Sequence, residues 1–272
     1  MVRKVTHFSA NPYGSAFQPL NRPSMQFATT RAQLAHQLRA LRPASSSLGF
    51  VPTMGALHPG HLSLVELAQG QNQFTAVSIF VNPTQFSPDE DLDQYPRTLE
   101  ADLELLRQRE VDLVFAPQPT ELYPTPSTLK LYDDALYTKL EGTSRPTHFS
   151  GVSLVVSKLF NLFQPTRAYF GQKDYQQTVV IRQLVDQLLF PVEVVIGAIS
   201  RESDGLAMSS RNRFLSPEAR KIAPQLHQTL QTVKLNTKPE SLAAELKQVG
   251  IDYLAQYPDF TLDYLEIADG YT

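Results

Sequence analysis

Apolar residues along this chain fall into two patterns, short continuous runs and longer stretches with helical spacing. The runs LGFV (48–51), FTAVSIFV (74–81), VDLVFAP (111–117), RAYFG (167–171) and PVEVVIGA (191–198) are rich in β-branched and aromatic residues. Such runs, with no polar alternation, predict parallel strands buried on both faces. Between them, Leu34, Leu38 and Leu41 recur at three- and four-residue spacing within 29–42, with Thr29 or Thr30 as the N-cap. Further helices are predicted over 60–70, 97–110, 151–163 and 174–189. Strands alternating with helices specify an open α/β sheet. Near residue 199 the pattern changes to helices over 217–234 and 240–249, then a last strand over 260–269. The chain therefore divides into an N-terminal extension (1–25), a sheet domain (26–199) and a smaller C-terminal region (200–272).

Composition narrows the function classes. With 42% apolar and 19% charged residues the chain is ordinary for a soluble globular protein. No stretch approaches the roughly eighteen apolar residues of a membrane span, and no short apolar run follows a basic start, so neither membrane insertion nor secretion is supported. The absence of cysteine removes disulfides, thiolate catalysis and cysteine-based zinc sites. A net charge of −3 speaks against a nucleic-acid partner, but the charge is uneven. Six Lys/Arg precede the first acid, Glu66, and the remainder carries 18 basic against 27 acidic side chains. An acid-free start containing Arg and Ser has the look of an organelle transit peptide. Residues 1–25, rich in Asn, Pro and Ser, read instead as a disordered polar tail, because Arg31, Arg39 and Arg42 fall in the predicted helix.

The chemistry concentrates around LGFVPTMGALHPGHLSLV (48–65). An apolar run meets a small-residue turn (Pro52 to Gly55), and His58-Pro59-Gly60-His61 then opens an amphipathic segment. That order sets unpaired backbone N–H groups and two imidazoles at one helix N-terminus, which suits an anion. Proline at the first helical position sacrifices no needed donor, and Gly60 lets a ligand approach the backbone. Zinc would want a third ligand and histidines along a helix rather than at its start, so no protein-held metal is expected. A second strand–glycine–helix start, Gly171 to Gln177, offers Lys173 to phosphate. Asn82-Pro83-Thr84-Gln85 follows another strand and faces the same crevice. The acidic SPDEDLDQYPRTL (87–99) reads as a mobile lid, or else as a solvated surface loop. Ser209-Ser210-Arg211 presents two hydroxyls and a guanidinium to phosphate oxygens.

PTMGALHPGHLSLV resembles the nucleotide-binding signature of the pantothenate synthetase (pantoate–β-alanine ligase) family. That family belongs to the nucleotidyltransferase superfamily, which shares HxGH with class I aminoacyl-tRNA synthetases. HxGH alone names only the superfamily; PTMGALH is more specific, and NPTQF, RPTHF, GQKDYQQ and DGLAMSSRN match further family segments, so the likeness covers about residues 27–269. The resemblance implies a Rossmann-like parallel sheet domain followed by a small α+β domain. It implies ATP-dependent condensation of (R)-pantoate with β-alanine through pantoyl adenylate, releasing AMP and pyrophosphate, with Mg2+ bridging phosphate oxygens. By the same likeness Met54, Gly55, Ala56, Leu57, His58, Pro59, Gly60, His61, Gly171, Gln172, Lys173, Asp174, Ser200, Met208, Ser209, Ser210 and Arg211 contact ATP. His58, His61 and Lys173 would surround the triphosphate, with His61 the proton donor; Ser209, Ser210 and Arg211 would hold the leaving pyrophosphate. Gln85, Gln177, Asn82 and Arg145 are assigned to pantoate and β-alanine. The expected partners are these small molecules and a second copy of the chain, as a homodimer in the cytoplasm, with an organelle as the alternative.

Two departures stand out. Ser200 occupies a position where family members usually carry valine before Arg-Glu. Members also continue beyond the expected last strand, so a second domain made incomplete by truncation, or by a cut at a domain junction, is expected. Two other activities share the HxGH element. Nucleotidyl transfer to a phosphate ester is disfavoured by NPTQF and GQKDYQQ. An idle nucleotide-binding module would bind ATP without turnover.

Overall fold

The computed structural model describes residues 24–43, 45–125 and 128–269, so the expected tail, up to residue 23, lies outside the described residues. The chain begins with β1 (Gln26–Ala28), α1 (Arg31–Leu41), β2 (Leu48–Thr53), α2 (Pro59–Gln71) and β3 (Phe74–Ile79). It continues through α3 (Leu99–Gln108), β4 (Leu113–Phe115), the short α4 (Pro119–Leu122) and α5 (Glu141–Ser144), and α6 (His148–Phe163). Then come β5 (Arg167–Gly171), α7 (Tyr175–Leu188) and β6 (Glu193–Gly197), followed by α8 (Pro217–Ile222), α9 (Gln225–Leu235) and α10 (Ala243–Leu254). The six strands form one parallel sheet in the order β1-β4-β3-β2-β5-β6. β1, too short to carry a pattern, is an edge strand that the apolar runs did not predict.

Both faces of the sheet are covered, which is why its strands read as unbroken apolar runs. Phe50, Phe74, Leu113, Phe115, Ala168 and Phe170 point to one face, against Leu34 of α1, Phe160 and Phe163 of α6 and Ile181 of α7. Val51, Val77, Val114 and Tyr169 point to the other, against Val65 and Ala68 of α2 and Leu103 and Leu106 of α3. Burying each of the Phe, Leu, Ile and Val side chains among them contributes roughly 1.5–3 kcal/mol. Thr30 caps α1 through a reciprocal capping box with Gln33.

β2 runs two residues further than its apolar pattern, through Pro52 and Thr53. Proline is tolerated in this central strand because of its direction. The carbonyls of Ser47 and Thr53 serve β3, whereas that of Leu48 takes the Thr166 N–H, so position 52 faces β5. β2 and β5 pair only at Gly49 and Phe50, so the missing N–H falls where the two strands have already parted.

The region after β6 differs from expectation. The single helix predicted over 217–234 is two, broken at Ala223–Pro224 where proline cannot donate. The strand predicted over 260–269 does not form; this stretch is irregular, and no other segment in 200–269 offers it a ladder. An isolated antiparallel bridge, Arg201 to Ala207, is the β pairing described there. A strand pattern without a partner strand has nothing to satisfy its backbone.

Candidate active site

β3 and β4 lie on one side of β2 and β5 on the other, so the strand order reverses between β2 and β5. In open α/β sheets the ligand crevice opens at that point, beyond the carboxyl ends of the strands. His58-Pro59-Gly60-His61 follows β2, and Gly171 to Asp174 follows β5, so both glycine-containing helix starts meet there.

The turn entering α2 is held from a distance. Gly55 (φ 84°) and Ala56 (φ 48°) adopt left-handed backbone, and the buried Asp102 of α3 accepts the N–H groups of Ala56 and Leu57 at 2.9 and 2.8 Å. A Cβ on Gly55 would come within 3.0 Å of Asp102 Oδ2 and Ile79 Cγ2. Pro59 is the first residue of α2, and His58 is its N-cap. His58 Nδ1 accepts the Gly60 N–H at 3.2 Å, and His61 Nδ1 accepts the His58 N–H at 3.4 Å. With both Nδ1 atoms accepting, each ring carries its hydrogen on Nε2. The rings lie 4.0 Å apart. Burial, then His58 and Lys173, push His61 down to about 3, although Asp174 opposes this. Burial, Lys173 and Arg213 lower His58 as well. Both imidazoles are therefore neutral Nε2–H groups at pH 7, able to donate hydrogen bonds from that nitrogen.

A cavity of about 1080 Å³ adjoins this corner, lined among others by Met54, Gln85, Arg145, His148, Lys173 and Gln177. His58 and His61 are not in its wall; Lys173 links them to it, since it lines the cavity and its charge bears on both rings. Lys173 Nζ rests 2.8 Å from Asp174 Oδ1, while the neighbouring Gln172 is exposed. Ser200 Oγ lies 3.3 Å from Ser63 Oγ on α2, and its carbonyl accepts the Met208 N–H, so serine is accommodated in place of valine. Ser209 caps the turn Ser210–Phe214 through the Arg211 N–H, Ser210 Oγ lies 3.1 Å from Tyr95 Oη, and Arg211 makes two hydrogen bonds to Asp91. The segment 87–98 is thus docked rather than merely solvated: Tyr95 is buried, and Glu90 pairs with Arg145 at 2.5 Å. Arg145 also reaches Glu141 at 3.2 Å.

Asn82 is turned into the protein. It is 1% exposed; its Oδ1 accepts from Tyr123 Oη at 2.8 Å and Thr84 Oγ1 at 3.0 Å, and its Nδ2 donates to the Gly151 carbonyl and Gln85 Oε1, both at 3.1 Å. With every hydrogen-bonding position occupied inside the protein, its side chain holds Gln85.

The model of the family described as Pantoate-beta-alanine ligase matches residues 26–272. The chain belongs to that family. The pantothenate synthetase of Herpetosiphon aurantiacus is 49% identical over 246 residues, which is 90% of this chain and 88% of the relative. The crystal structure of pantothenate synthetase from Thermus thermophilus superposes with a TM-score of 0.86 at 47% identity, covering 91% of this chain and 88% of that one. That of the pantoate-beta-alanine ligase from Francisella tularensis, complexed with beta-gamma ATP and beta-alanine, gives 0.75 at 36% identity, covering 84% and 86%.

Three further residues shape the site of this ligase family member without a motif of their own in the sequence. Asp102 showed only as one acid on a charged helix. His148, buried with Nδ1 3.1 Å from the Gln85 carbonyl, stands in the sequence only as part of RPTHF. Tyr123 carried no signal beyond its place before a proline.

Proposed function

We propose that this chain condenses pantoate with β-alanine, driven by ATP, through a pantoyl-adenylate intermediate. The observation that carries the reading is the convergence, at the strand-order reversal, of the α2 N-terminus with two neutral Nε2–H donors and Lys173, beside a cavity offering Gln85 and Gln177. Joining a carboxylate to an amine in water is uphill, so the carboxylate is activated first. Its oxygen attacks the α-phosphorus of ATP, the bond to the β-phosphate oxygen breaks, and pyrophosphate leaves. The amine of β-alanine then attacks the acyl carbon and displaces AMP. Such transfer needs positioning and charge stabilisation more than a covalent nucleophile.

In this scheme the α2 amides, His58, His61 and Lys173 stabilise charge on the phosphates, Ser209, Ser210 and Arg211 take the pyrophosphate, and Gln85 and Gln177 hold pantoate. Arg211 and Arg145 reach a ligand by exchanging Asp91 and Glu90 for it. Mg2+ arrives with the nucleotide phosphates, mostly hydrated, as is usual for this ion. A homodimer in the cytoplasm and a domain boundary near residue 199 belong to the same proposal. Among the described residues no helix is long and apolar enough to cross a membrane.

The decisive experiment is isotope exchange. With ATP, Mg2+ and pantoate but no β-alanine, labelled pyrophosphate should enter ATP. A nucleotidyltransferase acting on a phosphate ester would need its own acceptor, and an idle module would show no exchange. Protein that binds ATP yet gives no pantoate-dependent exchange would overturn the proposal.

A further inference from the structure

We propose that Tyr123 is a positioning residue for the acid substrate: through Asn82 it sets the Gln85 side chain with its Nε2 donors toward the cavity and its Oε1 turned away. This rests on the reading that Gln85 holds pantoate. An amide can be turned end for end with little change in shape, so its direction is decided by its neighbours. Around Asn82 they leave one solution. The hydroxyls of Tyr123 and Thr84 and the Thr84 N–H gather at one end, which must be the acceptor Oδ1. At the other end the Gly151 carbonyl can only accept, so Nδ2 lies there. That Nδ2 donates its second hydrogen to Gln85 Oε1, so Gln85 presents Nε2, with Met54 Sδ, a weak acceptor, 3.3 Å away.

Tyr123 is itself held in place. Lys158 Nζ stands 4.0 Å over its ring and donates to the neighbouring Leu122 carbonyl at 2.6 Å. Burial raises the Tyr123 phenol, so it stays a donor at every working pH. The line from Tyr123 through Asn82 to Gln85 therefore selects a substrate that shows an acceptor oxygen, from a carboxylate or a hydroxyl, to the Gln85 amide.

The test is steady-state kinetics on Tyr123→Phe, Thr84→Val, Gln85→Ala and the Tyr123→Phe/Gln85→Ala double variant. Tyr123→Phe keeps the ring beneath Lys158 and removes only the hydroxyl. It should raise KM for pantoate about three- to tenfold, the effect of one net hydrogen bond, with kcat and KM for ATP within about twofold. Thr84→Val, which removes another donor to the same oxygen, should act in the same direction and carries the test if Tyr123→Phe does not fold. In the Gln85→Ala background Tyr123→Phe should add nothing. A pantoate KM unchanged in both single donor variants, or an equal rise that persists without Gln85, would overturn the relay while leaving Gln85 as a pantoate ligand. A pantoate KM unchanged in Gln85→Ala would instead overturn the reading of Gln85, and the relay with it.

Discussion

The guanidinium of Arg211 is paired edge-on with the carboxylate of Asp91 through hydrogen bonds of 2.7 and 2.8 Å, and it lies over the Tyr95 ring at 5.2 Å. Asp91 holds Arg211 firmly charged, and Arg211 in turn keeps the Asp91 carboxyl below the usual carboxylate range. A phosphate reaching Arg211 therefore competes with Asp91. Because the pair is partly exposed, at 41% and 28%, its strength is discounted to at most about 1 kcal/mol. Asp91→Asn should tighten ATP by up to about fivefold in titration calorimetry. Unchanged or weaker binding would show that Asp91 does not compete with the nucleotide.

The charge stabilisation proposed for His61 and Lys173 has a measurable size. One charge-assisted contact made in the transition state is worth about 2.7–4 kcal/mol. His61→Ala or Lys173→Ala should accordingly slow pantoate-dependent pyrophosphate exchange roughly a hundredfold or more. His61→Ala also removes the acceptor for the His58 N–H, so its melting curve should move slightly while the fold persists. Exchange at near-normal rates in both variants would take these residues out of the mechanism.

The neutral state of His61 has a pH signature. Its folded value of about 3 lies below the ordinary 6.5, so between those values the unfolded chain binds a proton that the folded protein refuses. His61's contribution is complete above about pH 6.5 and is lost as pH falls from there toward 3, by up to about 1.4 kcal/mol per pH unit. Urea unfolding at pH 7 and pH 5 should show a loss that His61→Gln reduces. An imidazole resonance of His61 titrating near 6.5 would refute the assignment. For the same reason kcat/KM for ATP should not decline between pH 6 and 8 through loss of a His61 proton.

Gly151 is where α6 presses on the turn that carries Gln85. A Cβ there would lie 2.2 Å from the Thr84 carbonyl oxygen and 2.6 Å from Gln85 Cα, both backbone atoms that cannot rotate away. Gly151→Ala should destabilise the protein by about 1–3 kcal/mol in urea unfolding and weaken pantoate more than ATP. Wild-type stability together with wild-type pantoate affinity would mean that the helix and the turn can separate freely.

The sequence by itself determined what is local. A strand, a glycine turn and a helix start are neighbours in the chain, so HPGH and GQKDYQQ could be placed at helix N-termini from propensity and spacing alone. The unbroken apolar runs announced a sheet covered on both faces, because a strand shows its burial in its own residues. Only the tertiary structure decided what depends on distant partners. Asp102 lies 45 and 46 residues from the amides it holds, and Asp91 lies 120 residues from Arg211, so neither role leaves a local mark. Asn82 stood in the right motif, yet Tyr123 and Gly151 turned it inward, since direction is set by whichever donors and acceptors surround an amide. The run 260–269 had a strand's composition and formed none, because a strand exists only where another supplies its hydrogen bonds.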